Sequence, residues 1–213
     1  MALFILIFEV IGTIAFAISG AITGLKKNMD IFGVCILGLT TAVGGGIIRD
    51  LILGITPPAA FQHPTNALLA IAVSIIIFIP AVRHGIFANN RVYEFLMLIS
   101  DAAGLGIFTV CGARVAIDAG FCGNIFLTVF VAVLTGVGGG VIRDLFAGDR
   151  PYIFVKHIYA CAALIGAIIC RLLWNIAGSE VSMVVGFAVI IIIRLMAVKF
   201  HWNLPKAKEI EQL

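Results

Sequence analysis

Apolar runs of about twenty residues recur along this 213-residue chain, and no other feature restricts its fold as much. About twenty such residues in a helix cross the roughly 30 Å hydrocarbon layer of a bilayer. Seven runs qualify, near 3–25, 31–54, 66–82, 93–116, 122–147, 154–174 and 181–198. The connections are short and hold turn formers such as Lys26-Lys27-Asn28, Pro57-Pro58 and Asn89-Asn90. A membrane barrel would instead show segments of about ten residues alternating in and out. Composition agrees: 62% of residues are hydrophobic, 12% are charged, and mean hydropathy is +1.18. A water-soluble surface cannot be built from so little polar material. A soluble enzyme, a disordered tail and a nucleic-acid-binding module are excluded. The expected fold is an all-α membrane protein, one transmembrane domain over residues 1–213 with a polar tail at 201–213.

Basic residues set the expected orientation, because Lys and Arg concentrate in cytoplasmic loops. Eleven of the fourteen fall on one side: Lys26, Lys27, Arg83, Arg91, Arg143, Arg150, Lys156, Arg194, Lys199, Lys206 and Lys208. Only Arg49, Arg114 and Arg171 fall on the other. The C-terminus is therefore expected in the cytoplasm and the N-terminus outside, as an odd number of spans requires. The chain opens on apolar residues with no basic segment before them, so its first run reads as a retained span and not as a cleaved signal. Five cysteines without a CxxC pair read as buried hydrophobes, with no disulfide framework or metal site. His63, His84, His157 and His201 stand near span ends at no metal-ligand spacing. No cofactor is implied.

The chain also repeats itself. Thr41-Ala-Val-Gly-Gly-Gly-Ile-Ile-Arg-Asp50 returns as Thr135-Gly-Val-Gly-Gly-Gly-Val-Ile-Arg-Asp144. Upstream, Glu9, Gly12, Phe16 and Gly20 correspond to Asp101, Gly104, Phe108 and Gly112. Each copy holds three spans, about 3–82 and 93–174. Because three is odd, the second copy must enter the membrane from the opposite side. The architecture is two inverted three-helix repeats followed by a seventh helix near 181–198.

Each glycine in a helix costs about 1 kcal/mol relative to alanine. Gly44, Gly45, Gly46 and Gly138, Gly139, Gly140 are therefore expected to kink or break the second and fifth spans, with close helix packing as the alternative. Arg49, Asp50, Arg143 and Asp144 follow one turn later. A charge within the membrane costs at least about 2.5–3.5 kcal/mol and takes a partner or a wet cavity. Adjacent side chains diverge by about 100° on a helix, so each Arg is expected to pair across helices and not with its neighbouring Asp. Glu9 and Asp101 are the further candidates; they read as acids at the headgroup level or as lining of an internal path. Thr41, Thr135 and Ser19, with Thr40 and Ser100, could line the same path or bond their own helices. A charged group near each mouth with glycine backbone between suits a small hydrated cation, with the arginines as a latch. No phosphate loop, Gly-x-Ser-x-Gly or His-Glu-x-x-His motif is present, so enzymatic activity is not expected.

The doubled Gly-Gly-Gly-x-x-Arg-Asp at 44–50 and 138–144, with Phe16-Ala-Ile-Ser-Gly20, resembles the prokaryotic TRIC family of trimeric intracellular cation channels. The same bacterial sequences are also labelled putative glycine transporters. The resemblance implies a homotrimer in a bacterial cytoplasmic membrane, each subunit with its own pore for monovalent cations, chiefly K⁺. It implies that the kinked second and fifth helices line that pore; the expected partners are membrane lipids, monovalent cations and further copies of the chain, and no nucleic acid. Animal members bind an inositol lipid through a Lys-Glu-Val motif; the comparable region here reads Gly-Ile-Ile-Arg-Asp. The alternative is a secondary transporter of a small amino acid such as glycine, whose carboxylate would sit at half-helix N-termini.

Overall fold

A computed structural model describes residues 2–155 and 158–202. Lys156, His157, Lys206, Lys208 and the tail from 203 lie outside the described residues. Among the described residues every regular element is helical: α1 (Ala2–Lys26), α2 (Ile31–Ile52), α3 (Ala59–Gln62), α4 (Thr65–Phe78), α5 (Pro80–Phe87), α6 (Asn90–Asp118), α7 (Ile125–Phe146), α8 (Tyr152–Val155), α9 (Tyr159–Ala177) and α10 (Ser179–Lys199), with a 3₁₀ turn at Phe121–Gly123. Among the described residues six helices are long and apolar enough to cross a membrane, and the α4–α5 pair, bent by 73°, makes a seventh when taken as one span.

Local chemistry fixes the helix ends. The Asp30 carboxylate accepts from the Gly33 amide at 2.8 Å and starts α2. Asn124 does the same for α7, accepting from the Leu127 amide at 3.0 Å. Gly54 and Gly148, at φ 73° and 70°, turn the chain out of α2 and α7 in the left-handed conformation that glycine adopts without strain. The third span departs from the straight run expected over 66–82. Proline disfavours the helical conformation in the residue before it, and Ile79 is extended with ψ 130°. Pro80 then opens α5, bent 73° from α4.

The inverted pairing shows in the packing. Helix α1 lies on α2 and both hold α4; α6 lies on α7 and both hold α9. The two sets meet through α2 on α7 and α1 on α6, and α10, outside the symmetry, packs on α9 and α6. Phe16 and Phe108, equivalent in the two copies, meet at this junction with ring centroids 5.2 Å apart.

Candidate functional site

The glycine triplets lie where α2 crosses α7, and neither interrupts its helix: Ile31–Ile52 and Ile125–Phe146 each run unbroken. This corrects the expected breaks. A Cβ on Gly45 would stand 2.2 Å from the Thr135 carbonyl oxygen, and one on Gly139 2.1 Å from that of Thr41. One on Gly138 would stand 3.1 Å from the Gly45 Cα. Backbone therefore meets backbone, reciprocally in the two copies, and the central glycines are required by this contact.

The motif ends alike in both copies. The Asp50 carboxylate accepts from the Ala59 amide at 2.8 Å, and Asp144 from the Tyr152 amide at 2.8 Å. Each acid thus holds the loop that returns below its helix. Each also takes its neighbouring arginine: Arg49 Nε to Asp50 Oδ1 at 2.8 Å and Arg143 Nε to Asp144 Oδ1 at 2.9 Å. Pairing of adjacent residues is the reverse of the expectation. The arginine stem is long enough to fold back over the angle between them, and the fixed carboxylate cannot turn away.

Beyond that point the copies differ. Arg143 is fully buried; it donates to Asp101 Oδ1 at 2.7 Å and to the Ser19 hydroxyl. Its guanidinium lies 4.9 Å from the Tyr152 ring centre. From α10, Arg194 approaches Asp101 Oδ2 at 3.7 Å and stacks 4.7 Å over the Tyr159 ring. Arg49 keeps 12% side-chain exposure. Cross-helix pairing is thus present for Arg143, while Glu9, the counterpart of Asp101, is half-buried beside a cavity.

Two cavities flank this centre. One, of about 510 Å³, is lined by Lys26, Arg91, Asp101, Tyr152 and Arg194. The other, of about 240 Å³, is lined by Glu9, Gly46, Arg49, Asp50, His63 and Phe108. Asp101 faces the first and Phe108 the second, seven residues further along α6, or about 10 Å at 1.5 Å per residue. The partition between them holds the Phe16–Phe108 pair and the Arg143 guanidinium with its acceptors Asp101 and Ser19.

Of the expected lining residues, Glu9 and Asp101 face the cavities and Ser19 is bound by Arg143. Asp101 is 1% exposed and lies twelve residues into α6. Thr41 and Thr135 instead bond the carbonyls of Leu37 and Val131, at 2.5 and 2.7 Å, and line neither cavity. Thr40 bonds Ile36 at 2.8 Å, and Ser100 bonds Met97 at 3.4 Å. Gly44 faces Ile142, and Gly140 faces the Tyr159 hydroxyl. Two contributors escaped the sequence reading. Arg194 is the sole charge in the run 181–198 but served there only as an orientation marker. Phe16 and Phe108 matched in the repeat without being given a role. Among the described residues no cluster of three metal-ligating side chains is present.

A duplicated helical core with an acid–arginine pair closing each half is a recognisable class of membrane protein. A family model described as glycine transporter matches the chain twice, at residues 6–81 and 98–175. Over 202 residues the chain is 37% identical to the UPF0126 membrane protein YvgT of Bacillus subtilis, covering 93% of this chain and 94% of that one. It is 36% identical to the UPF0126 inner membrane protein YadS of Escherichia coli K12, covering 92% and 93%. Among solved structures, a prokaryotic TRIC channel in 0.5 M KCl superposes with TM-score 0.86 at 34% identity, covering 96% of this chain and all of that one. The TRIC channel of Rhodobacter sphaeroides gives 0.83 at 33%, covering 92% and 98%. A Caenorhabditis elegans TRIC channel, at 16% identity and TM-score 0.63, shares the fold. The chain belongs to the family that holds the UPF0126 membrane proteins and the prokaryotic TRIC channels.

Proposed function

We propose that this protein is a channel for monovalent cations, chiefly K⁺, with one pore per subunit between the inverted repeats. The observation that carries the reading is the pair of cavities, each with a carboxylate in its lining, on either side of the layer that holds the Phe16–Phe108 pair and Arg143. Glu9, with Asp50, attracts cations to the smaller cavity, while Asp101 offsets part of the basic lining of the larger one. Arg143, held by Asp101, Asp144 and Ser19, is the latch: its positive charge repels a cation, and its movement would join the cavities. The solved relatives, named as TRIC cation channels, support the same reading and a homotrimeric assembly. The inner-membrane relative supports a bacterial cytoplasmic membrane. The basic residues favour an external N-terminus.

Purified protein in a planar bilayer tests this. Unitary K⁺ currents are the expected result. Saturable glycine counterflow without unitary currents would overturn the channel in favour of a carrier.

A further inference from the structure

The inverted repeat places the same arginine twice but seats it once. In the second copy the Arg143 guanidinium lies between Asp101 and Ser19, with the Tyr152 ring centre 4.9 Å away. A carboxylate, a hydroxyl and an aromatic ring suit a guanidinium, whose planar N–H fork meets the carboxylate and whose face meets the ring. The repeat carries Asp101 onto Glu9, Ser19 onto Cys111 and Arg143 onto Arg49. A thiol is a weak acceptor, and Arg49 turns to Asp50 instead, with Nε and Nη2 each 2.8 Å from Oδ1. Glu9, Cys111 and Arg49 then line an open cavity of about 240 Å³ where the second copy has a buried guanidinium.

Two groups in that lining are left over. Glu9 makes no ion pair or hydrogen bond among the described residues, while the nearby charges of Arg49 and Asp50 neutralise each other. Thr13, one turn further along α1, is 1% exposed, and its hydroxyl has no hydrogen-bond partner. The five other buried threonines, Thr23, Thr41, Thr109, Thr128 and Thr135, each bond the carbonyl four residues back. Thr13 does not, and a buried hydroxyl left without a partner is costly. Its counterpart in the second copy is Leu105, so this hydroxyl belongs to the open cavity alone.

We propose that the smaller cavity binds a small guanidinium cation, with its N–H groups on Glu9 and Thr13 and its face toward Phe108. The set repeats the one that holds Arg143: an acid, a hydroxyl and a ring. A methylated ammonium carries the same charge without N–H donors, and K⁺ carries it without a planar fork, so neither matches the set. A guanidinium seated there stands beside Phe108 on the cation path and lowers K⁺ flux. This consequence, though not the binding itself, rests on the channel reading.

Equilibrium binding of radiolabelled guanidinium to the purified full chain, at constant ionic strength, reads the site directly, and K⁺ flux in vesicles reads the coupling. One saturable site per subunit is expected, displaced by methylguanidinium and not by equal concentrations of tetramethylammonium or K⁺. Glu9→Gln should weaken binding about tenfold or more, and Thr13→Val about fivefold. Thr13→Val keeps every charge, so its loss separates a built site from simple attraction to Glu9, and it decides the matter if Glu9→Gln does not fold. Guanidinium should also lower K⁺ flux through the unmodified protein, and less so through Thr13→Val. Absence of saturable binding, or undiminished binding by a folded Glu9→Gln or Thr13→Val protein, overturns the site. Displacement by K⁺ or tetramethylammonium as effective as by methylguanidinium shows selection by charge alone and overturns the guanidinium as its ligand. If no vesicle passes K⁺, the channel reading fails while the binding series still decides the site.

Discussion

Arg143 binds Asp101 at 2.7 Å with neither side chain more than 2% exposed, joining α7 to α6 within the second repeat. Removing one member of a buried pair leaves the other charge uncompensated, at about 3–5 kcal/mol. Asp101→Asn should therefore lower the thermal midpoint in detergent sharply. Glu9→Gln removes the equivalent acid beside a cavity, where Arg49 keeps its bond to Asp50, and should cost under about 1 kcal/mol. Equal shifts in the two midpoints would show that the copies are not closed to different degrees.

The glycines of each triplet should not respond alike. Gly45→Ala and Gly139→Ala drive a Cβ into a facing carbonyl at 2.2 and 2.1 Å, so α2 and α7 must separate. A Cβ on Gly46 meets nothing nearer than the Arg49 guanidinium at 3.7 Å. Gly46→Ala should therefore keep the fold and gain up to about 1 kcal/mol of helix preference. Thermal midpoints of the three variants test this, and equal loss in all three would return the triplets to a bending role.

The apolar runs and the doubled motif made most of this architecture readable, because spans, inversion and the site charges are local patterns in one chain. What the glycines do was not readable. A triplet costs the same helix preference whether it bends the helix or admits a neighbour, and only the facing Thr135 and Thr41 carbonyls reveal the close approach. Arg49 and Arg143 carry the same motif, yet one is partly open and the other closed. That difference comes from Asp101, Ser19 and Arg194 on three other helices, a convergence no local spacing records. The break at Pro80 was a local signal, but hydropathy continued across it and hid the 73° turn.

Phe108 faces the smaller cavity and stacks on Phe16 at 5.2 Å, so the pair forms one layer of the partition. Truncating a large aromatic leaves a void there instead of a packed ring. Phe108→Ala should raise the open probability or the unitary current severalfold, at a stability cost of about 3–5 kcal/mol at most. A folded Phe108→Ala protein with unaltered currents would remove this layer from the barrier.

Asp50 performs two tasks that one substitution separates. Its Oδ2 accepts the Ala59 amide at 2.8 Å, a bond that the carbonyl of asparagine can keep, while the negative charge beside Arg49 and Glu9 attracts cations to the 240 Å³ cavity. Asp50→Asn should thus leave the loop folded and reduce the preference for K⁺ over Cl⁻, read as a reversal potential in a KCl gradient that moves toward zero. Asp144→Asn leaves the lining of both cavities unchanged but frees one side of Arg143, so its currents should show a changed open probability. The two variants separate field from latch. If Asp144→Asn moves only the reversal potential, Arg143 does not close the path; if Asp50→Asn leaves that potential unmoved, its carboxylate serves the loop alone.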